Sequence, residues 1–127
     1  PAHENYHAGV VFAGAEAIWV PIRPPEFKFD PGELKKAFAR PNVKAVIFNT
    51  PHNPSGRMFR YEELQQIADL CIKYDVFAIA DEIYEHMVFD GLQHIPIATL
   101  PGMMERTITI SGLSKSYSVT GWRVGYT

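Results

Sequence analysis

This 127-residue sequence predicts an α/β fold: a mostly parallel sheet with helices on both faces, in three αβα layers. Three observations carry that expectation. Runs at residues 43–48, 76–80 and 107–110 are rich in Val, Ile, Phe, Ala and Thr, and the first two are near-continuously apolar, as befits strands covered on both faces. Helical patterns with an apolar stripe precede the first two runs, which gives the strand–helix alternation of α/β proteins. Each run also opens at its carboxyl end onto polar, chemically capable residues, where open α/β sheets gather their ligands.

The elements follow in order. Residues 16–22 (Glu-Ala-Ile-Trp-Val-Pro-Ile) read as a short strand interrupted by Pro21, and residues 23–29, with two prolines, read as a loop. Asp30-Pro31-Gly32-Glu33 is a helix start: an Asp cap, Pro at the first helical position and Glu three residues after the cap. Leu34, Ala37 and Phe38 supply its stripe, and Pro41 ends it. The run at 43–48 leads into Asn49-Thr50-Pro51-His52-Asn53-Pro54-Ser55-Gly56. A second helix spans about Tyr61 to Lys73, with Leu64, Ile67, Ala68 and Cys71 on one face. The run at 76–80 leads into Asp81-Glu82-Ile83-Tyr84, and the run at 107–110 ends at Ser111. Residues 124–126 form a last apparent strand.

Composition narrows the function. The formal charge is −2 and the 12 basic residues are scattered, which argues against a nucleic-acid surface. No apolar run approaches the roughly 20 residues that span a bilayer, and no signal peptide is visible. The five histidines lack the spacing of a metal site, so no metal is expected. The single cysteine, Cys71, reads as a buried structural thiol. No disulfide can form within the chain, which makes a cytoplasmic location the default expectation. The sequence starts at Pro1 and stops inside an apparent strand. Residues 1–127 are therefore expected to be one piece of a larger domain, truncated at both ends.

The strongest chemical signal is residues 111–126, Ser-Gly-Leu-Ser-Lys-Ser-Tyr-Ser-Val-Thr-Gly-Trp-Arg-Val-Gly-Tyr. Lys115 stands among Ser111, Ser114, Ser116 and Ser118, and Arg123 follows eight residues later. Such an amine can form a Schiff base with a carbonyl cofactor, while hydroxyls and a guanidinium hold its phosphate. The plain alternative is a solvated lysine in a surface loop. Asp81 closes an apolar strand, where an ionised carboxylate needs a partner such as a protonated ring nitrogen; otherwise it caps a short helical segment. Tyr84 brings a phenol close by, or simply packs. Asn53 is an amide presented between two prolines, or part of an ordinary turn. Glu82 and Glu85 read as surface or supporting carboxylates.

Together, Asn53-Pro54-Ser55-Gly56, Asp81-Glu82-Ile83-Tyr84 and Ser114-Lys115 through Arg123 resemble the pyridoxal-phosphate-dependent aminotransferases of classes I and II, with the fold type I architecture. The gaps agree: 28 residues from Asn53 to Asp81, 34 from Asp81 to Lys115 and eight from Lys115 to Arg123. The text around Asn53 and Phe89-Asp90-Gly91 is similar to the kynurenine, methionine and aromatic aminotransferase branch. The resemblance implies that the chain is part of the large domain of a homodimeric enzyme. It also implies roles: Lys115 as Schiff-base lysine and proton carrier, Asp81 against the pyridine nitrogen, Tyr84 and Asn53 on the ring's phenolic oxygen, and Arg123 on the phosphate of pyridoxal 5'-phosphate. His3 falls where the family stacks a larger aromatic ring on the cofactor. Gly112 falls where the resemblance places a phosphate-binding serine, so Ser111 or Ser114 would have to substitute.

The expected reaction exchanges an amino group between an amino acid and a 2-oxo acid. A carbon–sulfur β-lyase or a synthase on the same cofactor is the first alternative, and a cofactor-sensing domain of a transcriptional regulator the second. Dependence of turnover on an added oxo acid separates the first pair. A DNA-binding segment upstream would mark the regulator. The isolated chain is expected to be inactive, because the family's substrate-carboxylate and cross-subunit groups lie outside it.

Overall fold

A computed structural model describes residues 2–127. The elements are α1 (Glu4–Phe12), β1 (Ile22–Arg23), β2 (Lys28–Phe29), α2 (Pro31–Phe38), β3 (Ala45–Asn49), α3 (Tyr61–Tyr74), β4 (Phe77–Asp81), β5 (Thr107–Gly112), α4 (Leu113–Ser116) and β6 (Gly125–Tyr126). β3, β4 and β5 lie side by side and parallel, and β6 joins the edge of β5 antiparallel. Register is the feature that matters for the site. Asn49 pairs with Asp81, so β3 and β4 end level, and Asp81 pairs with Ile110, two residues before β5 ends.

Local chemistry sets the helices. Asp30 Oδ1 accepts from the Glu33 N–H at 2.8 Å and Pro31 fills the first turn of α2, as the sequence predicts. At the start of α3, Glu63 reaches back to the Arg60 N–H at 3.0 Å and also meets Arg57. That helix closes on Asp75 in the left-handed region, φ 52°, and Arg106 binds the Asp75 carboxylate at 3.2 Å. Leu34 and Phe38 of α2, and Leu64, Ile67, Ala68 and Cys71 of α3, join Phe48, Ala78 and Ala80 in one apolar cluster on one face of the sheet. On the alternate positions, Phe77, Ile108 and Ile110 are 50%, 44% and 37% exposed. Apolar side chains on both faces are the mark of a sheet built for cover on both sides.

Two expectations are corrected here. Residues 16–21 are not a strand. Only Ile22 and Arg23 pair, with Phe29 and Lys28, so the segment expected as a loop holds one arm of a small hairpin. Pro21 offers no N–H to a ladder, and pairing begins just after it. The sequence also gave no signal for α1, because that helix buries no side chain and so needs no apolar stripe.

Burial makes two testable statements. Leu64 is fully buried, so Leu64→Ala is expected to cost about 2–5 kcal/mol in denaturant unfolding. Burial also pushes the Cys71 thiol up to about 12. Its neutral form is the native one, so its contribution is complete below the ordinary thiol range near 8.5 and is lost as pH rises toward about 12. Cys71 should therefore resist a thiol reagent at pH 8 and react at once in guanidinium; rapid labelling of the native protein would contradict the packing.

Candidate active site at three strand ends

The ends of β3, β4 and β5 deliver the residues singled out in the sequence. Asp81 is the hub. Its backbone carbonyl accepts from Asn49 Nδ2 at 2.8 Å and from the Thr50 N–H at 3.1 Å. Its carboxylate serves two partners: Oδ1 accepts from the Ile83 N–H at 3.1 Å, and Oδ2 accepts from the hydroxyl of Tyr6. Residues 83–86 are turns rather than a helix, so the cap-like contact organises a turn and occupies only one of the two oxygens. Burial, then the hydrogen bond and charge of Asp81, push the Tyr6 phenol well above its ordinary value. The native form is the neutral donor.

The turn after β3 is tied to the same hub. Asn49 Oδ1 accepts from the Asn53 N–H at 2.7 Å, and Asn53 Nδ2 donates to Tyr84 Oη at 3.2 Å. Thr50 Oγ1 accepts from the Phe59 N–H at 3.0 Å and closes the base of the turn. Lys115, on α4 just past the end of β5, holds its Nζ 5.9 Å from the centre of the Tyr84 ring. The structure thus links Asn53, Tyr84 and Lys115 in one row, with Asn49 joining that row to Asp81.

Arg123 is less enclosed. It is exposed, sits in the left-handed region at φ 55°, and its Nη1 donates to the Thr120 carbonyl at 3.4 Å. Thr120 Oγ1 in turn donates to the Ser114 carbonyl at 3.0 Å, which connects the arginine to the residue before Lys115. His3 is exposed and caps α1, with Nδ1 accepting from the Asn5 N–H at 3.3 Å. Its ring centre lies 5.8 Å from that of Tyr6, so it stands one ring away from the Asp81 carboxylate.

The glycine at 112 has a steric cause. A Cβ there would lie 2.8 Å from the Val124 carbonyl oxygen and 3.1 Å from the Gly125 Cα, both backbone atoms of the adjoining strand. A serine does not fit. Ser111 is buried and its Oγ donates to Glu85 Oε1 at 2.6 Å, beside Tyr126, whose hydroxyl donates to the same oxygen at 3.1 Å. Among the described residues, Ser116 Oγ, next to Lys115, is buried without a hydrogen-bond partner.

Sequence reasoning missed three parts of this site. Tyr6 meets Asp81 across 75 positions, a distance no local pattern can signal. Asn49 had a cue, since a polar side chain ending an apolar strand needs a partner. Of the two readings given for Glu82, the surface one is excluded: it is 1% exposed, and its Oε2 lies 2.7 Å from His94 Nε2, a partner the sequence did not signal. That pair fastens the segment after β4 to the loop before residue 97.

The donor set suits a phosphorylated aromatic aldehyde. It offers one amine, one carboxylate held by two donors, an amide–phenol pair and a nearby guanidinium. In the Asn53–Tyr84 bond the tyrosine accepts, which leaves its own proton for a further acceptor.

Two stability tests follow from this geometry. Gly112→Ala should lower stability by about 1–3 kcal/mol through overlap with the β6 backbone, measured by thermal melting; an unchanged melting temperature would contradict that packing. Glu82→Ala should cost about 1–3 kcal/mol by stranding His94, and Glu82→Gln should recover part of the loss.

Comparison with known proteins agrees with the geometry. The family described as aminotransferase class I and II matches residues 1–127. Kynurenine–oxoglutarate transaminase 3 of Homo sapiens is 46% identical over 136 residues, covering 99% of this chain and 30% of that protein. Aspartate aminotransferase of Pyrococcus abyssi is 42% identical, covering 99% and 32%. The solved N-succinyldiaminopimelate aminotransferase of Mycobacterium tuberculosis superposes with a TM-score of 0.94 at 41% identity, over 98% of this chain and 33% of that one. The chain thus spans about a third of the length of the relatives it matches. It belongs to the class I and II aminotransferases, a pyridoxal-phosphate-dependent family of α/β fold.

Proposed function

We propose that residues 1–127 are a central part of the large domain of an aminotransferase, which in its complete form moves an amino group between an amino acid and a 2-oxo acid. One observation carries the reading. Asp81, the Asn53–Tyr84 pair and Lys115 converge at the carboxyl ends of three adjacent parallel strands, in a chain that matches this family throughout.

Each residue takes a role at a stated atom. Pyridoxal 5'-phosphate, when bound, supplies an electron sink for ionising a bond at the substrate's α-carbon. Lys115 Nζ would hold the cofactor through its carbonyl carbon and would carry the substrate's α-proton. The Asp81 carboxylate would pair with the protonated ring nitrogen. Tyr84 Oη would donate its free proton to the ring's phenolic oxygen, with Asn53 Nδ2 donating to Tyr84 Oη to orient it. The Arg123 guanidinium would hold the phosphate. His3, whose ring lies 5.8 Å from that of Tyr6, would stack on the ring face. The complete protein is further proposed to be a cytoplasmic homodimer, a reading that rests on the family resemblance.

The experiment uses the complete protein with added pyridoxal 5'-phosphate. The wild type should develop the absorbance band of a lysine-bound cofactor and show turnover that depends on a 2-oxo acid. Lys115→Ala should lose the band, and its turnover should fall at least about 10²-fold. Turnover without an oxo acid would instead indicate a lyase. Cofactor binding with no turnover would indicate a sensor.

A further inference from the structure

α1 contributes no side chain to the apolar core, yet one of its residues reaches the functional hub. Tyr6 places its hydroxyl on Asp81 Oδ2 while the Ile83 N–H takes Oδ1. A carboxylate offers about four acceptor sites, two on each oxygen. Two donors arriving from different segments fix its plane and leave one lone pair on each oxygen unused. The phenol is half-buried and stays a neutral donor across the working pH range. Its reach cannot be assigned to packing, because the helix that carries it packs nothing else into the core.

We propose that Tyr6 is a positioning residue for the cofactor's ring nitrogen: it aims the Asp81 carboxylate so that a free lone pair faces the ring N–H. The inference rests on the role given to Asp81 above. Tyr6 acts through Asp81 and needs no contact with substrate. Loss of its hydroxyl should therefore weaken cofactor binding only while the aspartate is ionisable.

The test titrates pyridoxal 5'-phosphate into the complete apo-protein, comparing wild type, Tyr6→Phe, Asp81→Asn and the double variant, with melting temperatures of the apo forms alongside. Tyr6→Phe should raise the cofactor dissociation constant about tenfold, the cost of one hydrogen bond to a charged group. In the Asp81→Asn background the same change should alter it less than about twofold. Equal losses in both backgrounds, or none in the first, would overturn the inference while leaving the functional reading intact. A wild type that takes up no cofactor would overturn both. Should Tyr6→Phe melt below the assay temperature, Tyr6→His decides, since it keeps a ring donor. Sensitivity to Asp81→Asn as large as the wild type's supports the inference, and insensitivity overturns it.

Discussion

The register of three parallel strands is the constraint on which the site depends. Asn49 beside Asp81 means that β3 and β4 end at one level, and Asp81 beside Ile110 means that β5 runs two residues further, to Gly112. A slip of one residue between β3 and β4 would reverse which side chains face the helices and would separate Asn49 from Asp81. The register is held by burial on one face, where Phe48, Ala78 and Ala80 pack under α2 and α3. Core packing and site geometry are therefore the same fact seen at two ends of the strands.

Asp81 converts that alignment into chemistry. Its carbonyl gathers Asn49 and Thr50 from the neighbouring strand, and its carboxylate gathers Tyr6 and Ile83. Glu82, the next residue, turns the other way into a buried pair with His94. The chain at this point is held on both sides by polar groups, half-buried at Asp81 and fully buried at Glu82. Such groups cost free energy unless matched; the Glu82–His94 contact matches Glu82 Oε2 with His94 Nε2 and leaves Glu82 Oε1 and His94 Nδ1 buried without a partner.

Much of this was legible in the residues. The capped start of α2, the stripe of α3 and the three apolar runs follow from period and composition, and they place Asn53, Asp81 and Lys115 at strand ends before any coordinates. What was not legible has physical causes. α1 buries nothing, so it leaves no hydrophobic period. Residues 16–21 look apolar enough for a strand, but Trp19 and Ile18 are 58% and 37% exposed and the backbone pairs only after Pro21. Gly112 looked like a missing serine; the approach of the Val124 carbonyl explains the glycine. Tyr6 was invisible because its importance lies in a long-range contact.

The central claim is that these strand ends form a cofactor site whose covalent anchor is Lys115. Borohydride reduction of the complete protein with pyridoxal 5'-phosphate, followed by peptide mapping, tests it directly. The account predicts a single pyridoxyl adduct on the peptide carrying Lys115. An adduct on another lysine, or none, would contradict it.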